Sequence, residues 1–191
     1  LMRWAAGILG KAGKKITQRD MELLLTKTGT DMGNLRMEME KLISYTEGRD
    51  VVTAEDIEEI CTTQTTNRIF DMVRAVTEKN QKRALELYYD LLTLKEPPMR
   101  ILFLLAKQYR QLLLAKQFAA AGLAQTEIAS KLGVPGFVVK NITTCARAYT
   151  ISELEQAVKD FVDAEESVKT GRLEDKLSVE LLIIKYSSKV K

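Results

Sequence analysis

Few residues in this 191-residue chain could perform chemistry. There is no histidine, so the usual general base and a common neutral metal ligand are both missing. Acidic residues do occur in adjacent pairs: Glu58 with Glu59, Glu165 with Glu166, and Glu174 with Asp175. Lysine or arginine stands close to each pair, which is typical of a solvated helix face rather than of a catalytic dyad. The sequence therefore predicts no enzyme, no metal site and no bound cofactor.

A glycine- and lysine-rich stretch near the start resembles a phosphate-binding loop only superficially. Gly7, Gly10 and Gly13 are interspersed with Lys11 and Lys14. A Walker loop needs Gly-Lys followed by serine or threonine between a strand and a helix, whereas alanine follows Lys11 here. We interpret the stretch as a helix weakened by glycine.

The overall composition is that of a globular protein, with 46% hydrophobic and 29% charged residues. The apolar run at 101–114 is interrupted by lysine, glutamine and arginine and is too short to span a bilayer, so no membrane contact is predicted.

Cys61 and Cys145 are far apart and belong to no CxxC motif. Two lone cysteines suit a reducing compartment, where each would pack as a small apolar residue.

Helical periodicity recurs along nearly the whole chain and predicts an all-α fold. Helix-start signals support it at Thr17, at Asp31, at Thr53 (with Asp56 three residues on) and at Ser152. Pro97 and Pro98 together predict the first turn of a long helix that ends near Gly122. The only short strand candidate is 50–52.

The polar run 62–67 predicts a linker between two helical domains, at 1–64 and 65–191. Residues 1–64 carry nine basic and eleven acidic side chains, net −2, whereas 65–191 carry twenty and fifteen, net +5. This change in composition favours two domains, with five or six helices in the second and a hinge near Asn67.

The segment 125–142 is typical of a helix-turn-helix and offers an alternative function, a DNA-binding regulator. Small Ala129 and the turn residue Gly133 occupy the expected positions. A reading helix must present polar side chains to base edges, however, and this one begins with apolar residues at 137–139. Cations in and after the segment could contact phosphates: Lys131, Lys140 and Arg147.

Several segments, in order along the chain, resemble the delta subunit of bacterial DNA polymerase III. They include Gly-Thr-Asp-Met-Gly-Asn-Leu-Arg from Gly29, Val-Val-Thr-Ala-Glu-Asp-Ile from Val51, Pro-Pro-Met-Arg-Ile-Leu from Pro97, and Val-Lys-Thr-Gly from Val168. Arg36 is similar to a sensor arginine of the motor subunits, but an ion pair with Glu40, four residues on, is the simpler interpretation.

The resemblance implies an AAA+ lid-type helical bundle at 1–64 and a collar-type oligomerisation domain at 65–191. It implies a fragment without the family's N-terminal AAA+-like domain, through which alone the sliding clamp would be contacted. The collar would assemble with the motor and delta-prime subunits of a clamp loader in the bacterial cytoplasm, at the nucleoid-associated replisome. Contact with DNA would be weak or indirect. On this basis we expect subunit contacts at Tyr109, Arg110, Leu113, Lys169 and Leu181.

Overall fold

The computed structural model describes residues 1–62 and 65–188, which fall into two compact units, Leu1–Asn67 and Arg68–Lys191. Within these described residues, eleven helices and two strands of two residues each form the regular structure. The predicted all-α class is confirmed. The strand predicted at 50–52 exists as Val51–Val52, whereas its partner Lys15–Ile16 was missed because two residues carry no readable periodicity.

The first unit contains four helices and one strand pair in its described residues. Its elements are α1 Met2–Lys11, β1 Lys15–Ile16, α2 Gln18–Thr28, α3 Met32–Tyr45, β2 Val51–Val52 and α4 Ala54–Ile60. The strands are parallel, with Lys15 opposite Val51 and Ile16 opposite Val52. The core comes from the apolar faces of the helices, with Leu9, Leu24 and Leu35 fully buried.

Three predicted helix starts of the first unit are confirmed by their caps. Thr17 Oγ1 accepts a hydrogen bond from the backbone N–H of Asp20 (3.1 Å), and Asp31 Oδ1 accepts one from Asn34 (2.8 Å). At α4, Thr53 and Asp56 form the reciprocal capping box. Each bond satisfies a backbone donor that has no partner within its helix, so these residues fix where the helices begin.

The glycine- and lysine-rich stretch forms a helix and its exit rather than a phosphate loop. Gly7 and Gly10 lie inside α1, and Gly13 turns the chain with a φ of +73°. Lys14 Nζ donates to the carbonyl oxygens of Thr46 (2.7 Å) and Arg49 (2.6 Å), just beyond the end of α3. The lysine therefore serves the fold by pairing backbone oxygens.

The second unit is a bundle of seven helices in its described residues, more than the five or six predicted. They are α5 Thr65–Thr77, α6 Gln81–Thr93, α7 Pro98–Ala120, α8 Gln125–Leu132, α9 Gly136–Ala146, α10 Ile151–Lys169 and α11 Asp175–Ser187. The two helices predicted within 125–142 are present as α8 and α9. Pro98 begins α7 as predicted.

The predicted linker at 62–67 is partly wrong, because α5 already begins at Thr65. Polar side chains are compatible with a first helical turn, so the absence of apolar residues did not mark a loop. Asn67 is held within the first unit, where its Nδ2 donates to the carbonyl oxygen of Lys27 (2.8 Å). Thr63 and Gln64 lie outside the described residues.

The long helix α7 is the centre of the second unit and packs against α8, α9, α10 and α11. It buries one side through residues such as Ile101, Leu105 and Leu112.

The N-cap of α10 is Thr150, two residues before the predicted Ser152. Thr150 and Glu153 form the capping box instead, since Thr150 is the last residue in extended conformation.

Candidate functional site

The adjacent acidic residues named in the sequence lie at helix surfaces or at a helix start. Glu58 pairs with Lys27 (2.9 Å) and Glu165 with Lys169 (2.5 Å) on helix surfaces. Glu174 is the N-cap residue of α11, and Asp175 is the first residue of that helix. Over residues 1–62 and 65–188, no three acidic, cysteine or histidine side chains converge as metal ligands would.

One of the predicted contact residues, Tyr109, belongs to the core, and the structure corrects this prediction. Its side chain is only 2% exposed. The ring lies against Phe161 and Tyr186, with centroid distances of 5.0 and 5.5 Å. The hydroxyl shares a hydrogen bond of 3.1 Å with that of Tyr149, and burial raises the pKa of Tyr109 well above its ordinary value. The adjacent Arg110 points outward instead, because neighbours on a helix differ by about 100°.

The other predicted contact residues differ in exposure. Arg110 is exposed, and Leu113 is half-buried against the core of the unit. Lys169 is exposed and paired with Glu165 four residues earlier. Leu181, on α11, is 47% exposed, which is unusual for a leucine on a helix that packs against three others.

Leu181 belongs to an exposed apolar area formed by α6 and α11. Leu177, one turn earlier on α11, is 42% exposed, and Tyr89 on α6 is 47% exposed. The Tyr89 hydroxyl donates to Glu180 Oε1 at 2.9 Å, which places Tyr89 beside α11 and raises the pKa of its phenol. We call Tyr89, Leu177 and Leu181 the apolar patch.

A charged cluster holds α11 against α10 close to the aromatic core. Asp160 Oδ2 accepts from Lys185 Nζ at 2.5 Å and from the Tyr186 hydroxyl, while Asp160 Oδ1 accepts from Gln156 Nε2 at 2.9 Å. Partial burial alone would raise the pKa of Asp160, but these hydrogen bonds outweigh it and lower the pKa. The cluster fixes the orientation of the helix that carries Leu177 and Leu181.

The helix-turn-helix segment exists as α8 and α9, joined through Gly133 in the left-handed conformation (φ +65°). The first residues of its second helix, α9, are turned toward the interior of the unit. Val139 is fully buried, and Phe137 and Val138 are half-buried. A helix that reads bases needs those positions free and polar. No observation here favours the DNA-binding regulator.

The three predicted phosphate contacts lie in this segment and just after it. Lys131 Nζ lies 5.6 Å from the centroid of the Phe118 ring, a cation–π contact. Lys140 on α9 and Arg147, directly after α9, are exposed. Their contact with phosphates stays a prediction.

The cysteines pack as small apolar residues. Both are buried and carry free thiols. Burial raises the pKa of the Cys61 thiol to about 12 and also raises that of Cys145, so neither is poised to react as a thiolate.

Sequence reasoning missed Tyr89 and Leu177, although a signal existed for the tyrosine. Tyr88 and Tyr89 are consecutive on a helix and point about 100° apart, so the two rings meet different surroundings. Tyr88 is buried, and its hydroxyl donates to the carbonyl oxygen of Lys176 (2.9 Å), which leaves Tyr89 outside. The spacing of Leu177 along its helix is that of a core residue, so the sequence gives no indication that Leu177 is exposed.

The sensor-like Arg36 forms the simpler interaction that the sequence suggested. Its Nε lies 3.0 Å from Glu40 Oε1, and both side chains are largely exposed.

Within residues 1–62 and 65–188, no helix is both long and apolar enough to cross a bilayer.

Comparison with known proteins gives this fold a family. The sequence model of the family described as "DNA polymerase III delta subunit, C-terminal domain" matches residues 66–186. The DNA polymerase III subunit delta of Bacillus subtilis is 28% identical over 171 residues, which cover 90% of this chain and 49% of that protein. A probable DNA polymerase III subunit delta of Aquifex aeolicus is 22% identical over 129 residues, covering 67% and 37% of the two chains.

A solved structure agrees with these sequence matches. It is described as the Bacillus subtilis DNA clamp loader delta protein, with a TM-score of 0.86, 25% identity, and coverage of 98% of this chain and 56% of that chain. The chain thus spans about half, or less, of the relatives it matches. Because the family match extends over more than half of the sequence, the chain belongs to the DNA polymerase III delta subunit family.

Proposed function

We propose that this chain acts in bacterial DNA replication as a clamp-loader delta subunit that assembles with other loader subunits through its second unit. The observation that carries the proposal is the family match over residues 66–186, which lie almost entirely in that unit. The fold shared with a DNA clamp loader delta protein supports it. On this view the first unit is lid-like, the second is collar-like, and the protein works in the cytoplasm.

The apolar patch is the surface that best fits a subunit contact. Three large side chains on adjacent helices are each more than two-fifths exposed, although water disfavours such exposure. Exposed apolar groups rimmed by charges, here by Glu180 and Lys176, are typical of protein interfaces. Burying such groups against a neighbouring helix would stabilise a complex chiefly through the hydrophobic effect.

The partners we propose are the motor and delta-prime subunits. Leu113 and Lys169 would add contacts with the same subunits. Binding of this kind requires positioning and no catalysis by the chain itself. Contact with the sliding clamp is not assigned to any residue here.

Size-exclusion chromatography with light scattering tests the proposal. The chain is mixed with the motor and delta-prime subunits of the same organism at tens of micromolar, and the mass of each peak is measured. We expect a peak whose mass equals a defined assembly that includes this chain. Elution of the chain alone, with the other subunits in a separate complex, would contradict the proposed role.

A further inference from the structure

The outward side of α7 carries an aromatic ring among cations. Phe103 is 64% exposed, the highest value for a large apolar side chain among the described residues. Lys107 and Arg110 follow at four and seven positions and are also exposed. At 100° per residue the three lie within an arc of about 60°, and the helical rise separates Phe103 from Arg110 by roughly 10 Å. We call these three residues the cationic strip.

The charge of this strip is not balanced by α7 itself. The helix runs from Pro98 to Ala120 without a single aspartate or glutamate. Lys107 and Arg110 form no ion pair with any residue that the structure describes, whereas Arg100, one turn before Phe103, pairs with Glu96 at 3.1 Å. The fourth cation of the helix, Lys116, donates to the carbonyl oxygen of Ala146 (2.9 Å) and serves the fold.

We propose that the cationic strip binds single-stranded nucleic acid, with a base stacked on Phe103 and neighbouring phosphates paired with Lys107 and Arg110. A base can stack on a protein ring only if it is not stacked within a duplex, which favours a single strand over a double one. A flat ring with cations along one line is the combination that single-strand sites use. The inference goes beyond subunit assembly.

A protein partner fits the strip less well than a nucleic acid does. Burying two unpaired cations in a protein interface costs desolvation that only well-placed acids could offset. Phosphates along a flexible strand can instead pair with Lys107 and Arg110 while both stay partly in water, and release of counterions then favours binding. The apolar patch, with no comparable excess of charge, is the better protein contact.

Fluorescence anisotropy of labelled oligothymidine with the whole chain tests the proposal. Phe103→Leu keeps an apolar side chain but removes the flat ring, and we expect about tenfold weaker binding or more. Phe103→Trp retains a ring and should bind at least as tightly as the wild type. Lys107→Ala with Arg110→Ala should lower the slope of log affinity against log salt by about 1.4, since each single-strand phosphate contact contributes about 0.7.

Matched controls change the same residue types elsewhere. Tyr45→Ala removes an exposed ring in the first unit, and Lys82→Ala with Arg83→Ala removes two exposed cations of α6. Both should bind oligothymidine like the wild type, and circular dichroism verifies that every variant is folded. The proposal is overturned if Phe103→Leu binds normally, if duplex competes as well as single strand, or if the strip variants lose only subunit assembly.

Discussion

The apolar patch and the cationic strip belong to the same unit but would bind by different forces. The patch presents Tyr89 and two leucines, and its polar neighbour Glu180 is already hydrogen-bonded to Tyr89. The strip presents one ring beside two cations that have no acidic partner among the described residues. Burial of apolar area should dominate at the patch, and electrostatic attraction at the strip. One helical unit can therefore serve two partners of unlike chemistry.

The largest expected effect comes from the core behind both surfaces. Tyr109 lies on α7, which carries the strip, and touches Tyr186 on α11, which carries two patch residues. Tyr109→Ala should lower the free energy of unfolding by about 3–5 kcal/mol, because it leaves a cavity. Both binding activities should fall together as the unit unfolds. Urea denaturation followed by circular dichroism measures the change, and Tyr109→Phe, which loses one hydrogen bond, should cost only about 1 kcal/mol.

A substitution in the charged cluster should cause a smaller loss of stability. It should affect the apolar patch, which lies partly on α11, but not the cationic strip. Asp160→Asn weakens the charged hydrogen bonds that fix α11, and we expect a loss of about 2 kcal/mol at pH 7. Because the folded pKa of Asp160 is lowered, its stabilisation is complete above the ordinary pKa of 3.8 and is lost as pH falls through the folded value. Denaturation at pH 7 and pH 3 should therefore show a smaller cost at pH 3.

Asp163→Asn is the matched control for that pair of measurements, because Asp163 is exposed on the same helix. An equal loss for both variants would show that α10 depends on acidic residues in general. Equal costs for Asp160→Asn at the two pH values would contradict the role given to its carboxylate.

Salt separates the two surfaces most directly. Binding of oligothymidine at the strip should weaken steeply as salt rises, since phosphate contacts release counterions. Subunit assembly through the patch should change far less, because burial of apolar area involves no ion release. Titrations at several salt concentrations measure both constants on one preparation. Equal salt dependence of oligothymidine binding and of subunit assembly would contradict the distinction between an electrostatic strip and an apolar patch.

The smallest effect concerns the stability of the isolated chain. Leu181→Ala removes a side chain that is 47% exposed and leaves no cavity in the core. The free energy of unfolding should change by no more than about 0.5 kcal/mol, as is usual for surface substitutions. A loss of 2 kcal/mol or more in thermal or urea denaturation would mean that Leu181 supports the fold and is not a free contact residue.

Much of the fold was readable from the sequence because local chemistry determines helix ends. Caps at Thr17, Asp31 and Thr53 and the proline start of α7 lie where their side chains predicted. The error at Ser152 shows the limit of this reasoning. Two nearby hydroxyl residues each had a glutamate three positions later, and only the backbone conformation of Thr150 decides between them.

The contact surfaces were harder to predict, since periodicity alone does not tell which side of a helix meets solvent when most of its circumference is apolar. Tyr109 and Phe103 are both aromatic residues of α7, yet one is core and the other is exposed. The helices packed around α7 decide the difference, and they come from distant parts of the sequence. Family resemblance identified the chain's relatives without resolving individual side chains.

The most direct measurement of the central claim is the affinity of this chain for the other loader subunits, determined by sedimentation for three variants. Leu181→Glu places a charge in the apolar patch and should weaken assembly at least thirtyfold, about 2 kcal/mol, the size of an interface hot spot. Phe103→Ala and the control Met32→Glu, an exposed position of the first unit, should assemble like the wild type. Normal assembly of Leu181→Glu, or loss of assembly in Phe103→Ala, would contradict the account.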